Sequence, residues 1–378
     1  MDRLSDWRLI TDDGVSAAFG LAADDTLASR VGAGKSVPTL RLYTYRSHCA
    51  LVGRFQNVRN ELRLDYCQAN DISINRRPTG GGAILMGANQ LGVALTLPGR
   101  GDETYSRARA LMGQFSAGIL HGLNRLGVEA QFRHKNDIEV DGKKLVGLGI
   151  YRAPTGGLLF HASILVDLDV ELMLHVLNTP FEKISDKEIS TVAARVSTIR
   201  RETGTGISLD EVRREIARGY AAAFQVELTP GNITEDEQSE TASLVSTKYL
   251  SDDWIFQQTA VSDSFGSAKV KTPAGLLEAQ VTMAGSMLKS VLIGGDFFAD
   301  EAAVADLEAS LRWHTSEAGE VGETLATAYK RRRGELDGVP PDSLTDVVLK
   351  AVRRAKASES RMRSDPYGCF VSPGGASD

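Results

Sequence analysis

Three observations predict an α+β fold. Strand-like runs are joined by tight Asp-Gly and Gly-rich turns, amphipathic helical stretches lie between them, and a second, smaller block of strands precedes a helical C-terminal region. The expected organisation is a large domain at residues 1–250, with mixed or antiparallel sheets flanked by helices. A small α+β accessory domain follows at 257–357, and residues 358–378, rich in Gly, Pro and Ser, form a flexible tail.

Residues 14–31 space Ala, Phe, Leu and Val as a helix does, and "GAGKSVP" then forms a loop before the strand-like "TLRLYTYR". "HCALVGRF" reads as a short strand, "NELRLDYCQAND" as a helix, and "ISINRR" as the strand that follows it. "AILM" and "LGVALTLP" read as two sheet strands joined by a turn at Gly87–Gln90. A long amphipathic helix, "ETYSRARALMGQFSAGILHGLNRLG", ends at Gly127. The alternation and central Asp-Gly of "NDIEVDGKKLVGLGIYR", continued by "GGLLFHASILVDL", predict antiparallel hairpins. From about 167 the pattern turns helical, and Ser208 with Glu211 predicts a capping box at the start of "SLDEVRREIARGYAAAF". "EDEQSETASLVSTKY" predicts one more helix, and "SDDWIFQQ" a boundary before the strands of the small domain and its helices from 300 to 357.

The net charge of −6 argues against a surface that tracks nucleic-acid phosphates. Cys49, Cys67 and Cys369 are scattered and match neither a metal-ligand spacing nor a disulfide framework. The opening "MDRLSDWRLI" lacks the charged and apolar regions of a signal peptide, and no apolar run approaches a membrane span. A cytoplasmic protein with neither a nucleic-acid nor a membrane partner is the expectation.

Candidate chemistry gathers in three stretches. In "RRPTGGGAI", Gly80, Gly81 and Gly82 follow a strand, so their backbone N–H groups can converge on an anion or a ligand carbonyl; Arg76 and Arg77 supply fixed charge for a phosphate or carboxylate. A tight turn with surface arginines fits the same residues. In "KNDIEVDGKKLVGLGI", strand alternation sends Lys143 and Lys144 to opposite faces, so one can point inward, and Gly147 and Gly149 leave room beside it. Asn136 and Asp137 suit a ribose or a magnesium ion. His161 lies inside the apolar strand "LFHASIL", as either a satisfied core residue or a site residue. "GAGKS" at 32–36 lacks the first glycine of a phosphate-binding loop and precedes a strand instead of following one, so it reads as surface.

Five collinear stretches, "VGRFQNVRNE", "RRPTGGGAI", "KNDIEVDGKKLVGLGI", "FHASILVDLDVELMLHVLNTP" and "ISTVAARVSTI", resemble the lipoate–protein ligase A family of the biotin/lipoate ligase superfamily. The resemblance implies a biotin/lipoate ligase-like fold, with the small domain as the family's accessory domain. It implies ATP-dependent activation of lipoate, with Mg2+, to lipoyl-AMP, and transfer to a lysine of an acceptor lipoyl-domain protein. It places Lys144 at the carboxylate and α-phosphate as the catalytic residue. Arg76, Arg77, Thr79, Gly80, Gly81, Gly82, Asn136, Asp137, Gly147 and His161 fall around the adenylate, with Asp137 a candidate for Mg2+. Met86 and Gly87 replace a His-Asp pair common in the family, and Phe160, His161, Ala162 and Ser163 stand where it has His-His-Gly-Thr. Two alternatives are an octanoyltransferase drawing on an acyl carrier protein through the same lysine, and a non-catalytic lipoate- or nucleotide-binding module. A cysteine thioester route is disfavoured because no cysteine falls between 68 and 368.

Overall fold

In the computed structural model, residues 6–99, 104, 107–133, 136–178, 186–204, 206–256, 264–273, 275–332, 334–336 and 339–364 are described. The chain divides into two units, 1–258 and 259–378.

The first unit opens with strand β1 (Asp6–Val15), which the sequence reading passed over, and helix α1 (Ala17–Gly32), capped by Ser16 accepting from the Phe19 N–H. Next come β2 (Thr39–Tyr45), β3 (Cys49–Val52), α2 (Val58–Glu61), α3 (Leu64–Ala69), β4 (Ser73–Arg76), β5 (Ile84–Met86) and β6 (Gln90–Pro98). The helix expected over 60–71 is thus two short ones, broken where Leu62 turns extended and bridges to Leu177. Helix α4 (Ala108–Arg125) precedes β7 (Gln131–Arg133), β8 (Asp137–Val140), β9 (Lys143–Arg152) and β10 (Gly157–Leu165). Asp141 and Gly142, both at positive φ, make the expected tight β8–β9 turn. Helices α5 (Val170–Val176), α6 (Asp186–Ala193), α7 (Ile199–Thr203) and α8 (Leu209–Phe224), strand β11 (Glu227–Pro230), and helices α9 (Glu235–Leu244) and α10 (Asp252–Phe256) complete the unit. A π-helical turn, Val245–Tyr249, separates the last two.

Among the described residues, one mixed sheet runs β11-β1-β2-β6-β10-β9-β8-β7, and a small one runs β4-β3-β5. β5 and β6, expected to form a hairpin, part into different sheets: β5 pairs with β3, and β6 lies between β2 and β10. That parting leaves a cleft. Its apolar wall, Leu21, Tyr43, Tyr45, Leu51 and Met86, belongs to one buried cluster drawn from α1 and both sheets.

Ser208 caps α8 by accepting from the Glu211 N–H, while the reciprocal box forms at Thr234 and Glu237, at the start of α9. Glu237 is buried and takes both arms of the Arg8 guanidinium, at 2.7 and 2.9 Å, together with the Ser36 hydroxyl at 2.7 Å. Burial pushes its carboxyl up, but these donors outweigh burial and hold it at about 2. A depressed carboxyl contributes stability that is complete above its unfolded value and is lost as the pH falls through the folded one. Glu237→Gln should therefore weaken the protein at pH 7 and flatten the loss of stability between about pH 5 and pH 2, read as denaturation midpoints across that range.

In the second unit, β12 (Ser264–Thr272), β13 (Gly275–Ala284), β14 (Met287–Gly295) and β15 (His314–Thr315) form an antiparallel sheet with α11 (Glu301–Ser310), α12 (Ala318–Arg331) and α13 (Pro341–Ser364). The fold is thus mixed α+β, a large sheet flanked by helices plus a C-terminal sheet domain. Helix α13 extends to Ser364, inside the stretch expected as tail; Cys369 and the remainder lie outside the described residues. No described helix is long and apolar enough to cross a membrane.

Candidate functional site

Strands β9 and β10 pair so that Gly147 faces Ser163 and Gly149 faces His161. The glycines are spaces the site needs. A Cβ on Gly147 would stand 3.3 Å from Lys144 Nζ and 3.2 Å from Ser163 Oγ, and one on Gly149 would stand 3.0 Å from Thr79 Oγ1. Lys144 is fixed at the backbone by a strap: its N–H donates to Arg195 and its carbonyl accepts from Ser197, each at 2.9 Å. Its ammonium lies 2.7 Å from Asp137 Oδ1 across the hairpin, with both side chains part-exposed. Lys144, Asn136, Gly147, Gly149, His161 and Ser163 line one side of a cavity with an empty volume of about 610 Å³, its open mouth included.

The glycine loop supplies the facing side, through Arg77, Thr79, Gly82, Ala83 and Ile84. Arg77 donates to the carbonyls of Leu51 at 2.9 Å, Gly80 at 3.2 Å and Gly82 at 2.5 Å, so the guanidinium ties down the loop's oxygens. No described residue accepts from the N–H groups of Gly80, Gly81 and Gly82. Gly81 takes a φ of 95°, and its carbonyl rests against Gly53, where a Cβ would be 2.0 Å away. Burial with no anionic partner pulls the Arg77 guanidinium down to about 10. Thr79 Oγ1 is buried without a partner beside the cavity. Buried polar groups are rarely left so unless something else meets them.

Arg76 is placed elsewhere. Fully buried, it donates to the carbonyls of Gly53, Arg54, Gln56, Trp254 and Ile255, at 2.7–3.1 Å. It fastens α10 and the loop after β3 rather than facing the cavity. Arg76 ends β4 and turns to α10 and the loop after β3, while Arg77, the next residue, turns to the glycine loop. Asn136 donates through Nδ2 to the Leu148 carbonyl at 3.1 Å, which holds the start of β8 against β9. Asp137, the candidate for Mg2+, spends an oxygen on Lys144, and the described residues contain no group of three or more His, Cys, Asp or Glu placed to hold a metal.

The sequence reading missed a charged network beneath His161. Its Nε2 lies 2.7 Å from Asp24 Oδ2, deep in α1. Asp24 also takes Arg41 Nη1 at 2.8 Å and the Tyr43 hydroxyl at 3.0 Å, and Arg41 Nε reaches Asp12 at 2.6 Å. Asp24 and Arg41 are fully buried. Burial drives the Asp24 carboxyl up, but Arg41 and the His161 hydrogen bond more than offset that and leave it below the usual carboxylate range. The available signal was "LAADDTLA", two acids inside an apolar helical stretch, where a carboxylate requires a partner.

Cys49 and Cys67 are buried and neither lines the cavity; burial pushes both thiols up, away from the reactive thiolate.

The family model described as the lipoyl protein ligase A/B catalytic domain matches residues 16–221. A curated relative from Kyrpidia tusciae, named octanoyltransferase LipM, is 31% identical over an alignment of 277 residues that covers 67% of this chain and 99% of that protein. Another of the same name, from Brevibacillus brevis, is 28% identical over 66% of this chain and 99% of its own length. Among solved structures, the bipartite lipoate protein ligase of Thermoplasma acidophilum aligns with a TM-score of 0.60 and 26% identity, over 68% of this chain and 99% of that one.

Proposed function

The chain belongs to the lipoyl protein ligase A/B catalytic domain family, and we propose that within it this enzyme moves an octanoyl group from the thioester of an acyl carrier protein to a lysine of a lipoyl-domain protein. The expectation of ATP-dependent lipoate ligation through lipoyl-AMP is corrected by the relatives matched over nearly their whole length, which are named octanoyltransferases. ATP and Mg2+ leave the account with it, since a thioester is already activated.

The observation that carries the reading is a cavity lined by both apolar side chains and the cationic Lys144 and Arg77. In this reading Leu21, Leu51, Ile84 and Met86 take the acyl chain, and Lys144, Thr79 and Gly82 face the carbonyl. The acceptor amine attacks the thioester carbon, the N–C bond forms, the C–S bond breaks and the carrier's thiol departs. Lys144 Nζ stabilises the oxyanion that develops in between, where a preorganised charge acts most strongly. No described cysteine lines the cavity, and the reading is of direct transfer without an enzyme thioester. Arg77, Gly80, Gly81, Gly82, Asn136 and Gly147 shape the site, and His161 closes one wall.

Release of free thiol from octanoyl-carrier protein tests this. Release that requires both enzyme and acceptor domain, without ATP, is expected; thiol that stays acylated unless ATP is supplied would refute it. Met86 also sets chain length in this reading. Met86→Ala should raise the rate for a decanoyl relative to an octanoyl donor by about tenfold, because two methylenes in an apolar pocket discriminate on that order.

A further inference from the structure

The network beneath the cavity answers a question that transfer to lysine raises, and the inference rests on the octanoyl-transfer reading. A lysine amine, with an ordinary pKa of about 10.4, is protonated near neutrality, and it must shed protons to become an amide nitrogen. Among the described residues, the titratable side chains lining the cavity are Tyr43, Tyr45, Arg77, Lys144 and His161. Burial pushes both tyrosines up, Arg77 is cationic, and Lys144 is paired with Asp137. His161 remains as the base.

We propose that His161 takes the proton from the attacking lysine amine and returns it to the departing thiolate, with Asp24 as the positioning residue that fixes the imidazole. Asp24 is an anion receiving Arg41 on one oxygen and Tyr43 on the other, so the nitrogen it meets at 2.7 Å, Nε2, is the one that carries hydrogen. Nδ1 is the nitrogen the relay uses, and no described residue bonds it. The neighbours of His161 in the sheet are the small Gly149 and Ala94, and its side chain is among those lining the cavity. The lysine ammonium first gives one proton to solvent, and as the N–C bond then forms, one of the two remaining amine protons passes to Nδ1. As the C–S bond breaks, that proton passes to sulfur, giving the amide and a neutral thiol with the imidazole restored.

The test uses full-length wild-type protein, Asp24→Asn and His161→Gln, with octanoyl-carrier protein as donor and two acceptors. One is a lipoyl-domain protein; the other is hydroxylamine, whose nitrogen is already neutral at pH 7. Both variants should lose transfer to lysine by roughly 10²–10³-fold while forming octanoyl hydroxamate within a few-fold of the wild-type rate. Equal losses toward both acceptors would show that the pair merely supports the cavity and would overturn the proposal, as would variants that retain lysine transfer. His161→Gln keeps the experiment decisive if Asp24→Asn does not fold. A wild-type protein inactive toward both acceptors would overturn the transfer reading and the proton relay with it, whereas hydroxamate from wild type with equal losses in the variants would remove the relay alone.

Discussion

Lys144→Ala is expected to leave the protein folded and to lower octanoyl transfer by roughly 10²–10³-fold, the range observed when one oxyanion-stabilising donor is removed. The separation of activity from stability follows from exposure. The Lys144 side chain is 36% exposed and its Asp137 partner 27%, so the ion pair contributes little to folding. Backbone contacts to Arg195 and Ser197 hold the strand whatever side chain stands at 144. The loss should fall on kcat more than on KM, because the charge is needed where the oxyanion develops and the acyl chain is held by Leu21, Leu51 and Met86. Lys144→Arg keeps the charge on a longer, planar head and should recover only part of the rate. Steady-state rates beside thermal melts check this; an unchanged kcat in Lys144→Ala would remove the residue from the chemistry.

Arg41→Ala carries the largest expected effect on stability, a loss of about 3–5 kcal/mol, as for other buried ion pairs stripped of one partner. Arg41 is fully buried, and its guanidinium reaches Asp12, Asp24 and the Gly20 carbonyl within 3.1 Å. Without it, only His161 and the Tyr43 hydroxyl are left to offset the burial of Asp24. In the wild type the depressed Asp24 carboxyl contributes stability that is complete above its unfolded value of 3.8 and lost as pH falls through the folded value. Arg41→Ala should reduce that acid-side loss along with the stability itself. Adding Asp24→Asn to Arg41→Ala should recover part of it by removing the stranded charge. Denaturant midpoints for the two single variants and the double variant measure the coupling; additive losses would show that the pair does not act as a unit.

The long helices and the β8–β9 hairpin were legible because their signals are local. Apolar spacing and Ser caps mark α1 and α8, and Asp141-Gly142 marks a turn that demands positive φ. β1 was missed because "TDDGV" carries turn residues, while its pairing with β2 and β11 depends on residues far along the chain. β5 and β6 looked like a hairpin because four residues separate two apolar runs, and nothing local shows that the runs join different sheets. The site divides the same way. Lys144, Arg77, Thr79, Gly82, Asn136, Gly147 and His161 line one cavity, whereas Gly80, Gly81 and Asp137 are not among its lining residues. Arg76 does not join them, because its acceptors include the carbonyls of Trp254 and Ile255, about 180 positions away in sequence. Asp24 escaped notice because a helical pattern shows that an acid lies on the buried side, not which histidine 137 positions later will meet it.

The central claim is direct, ATP-independent octanoyl transfer, and the intact mass of the acceptor tests it most plainly. A lipoyl-domain protein incubated with this enzyme and octanoyl-carrier protein, without ATP, should gain the mass of one octanoyl group on its lysine, with no acyl-enzyme at any time point. An acceptor modified only when free acid and ATP are both supplied, or an octanoylated enzyme accumulating before the acceptor does, would contradict the account.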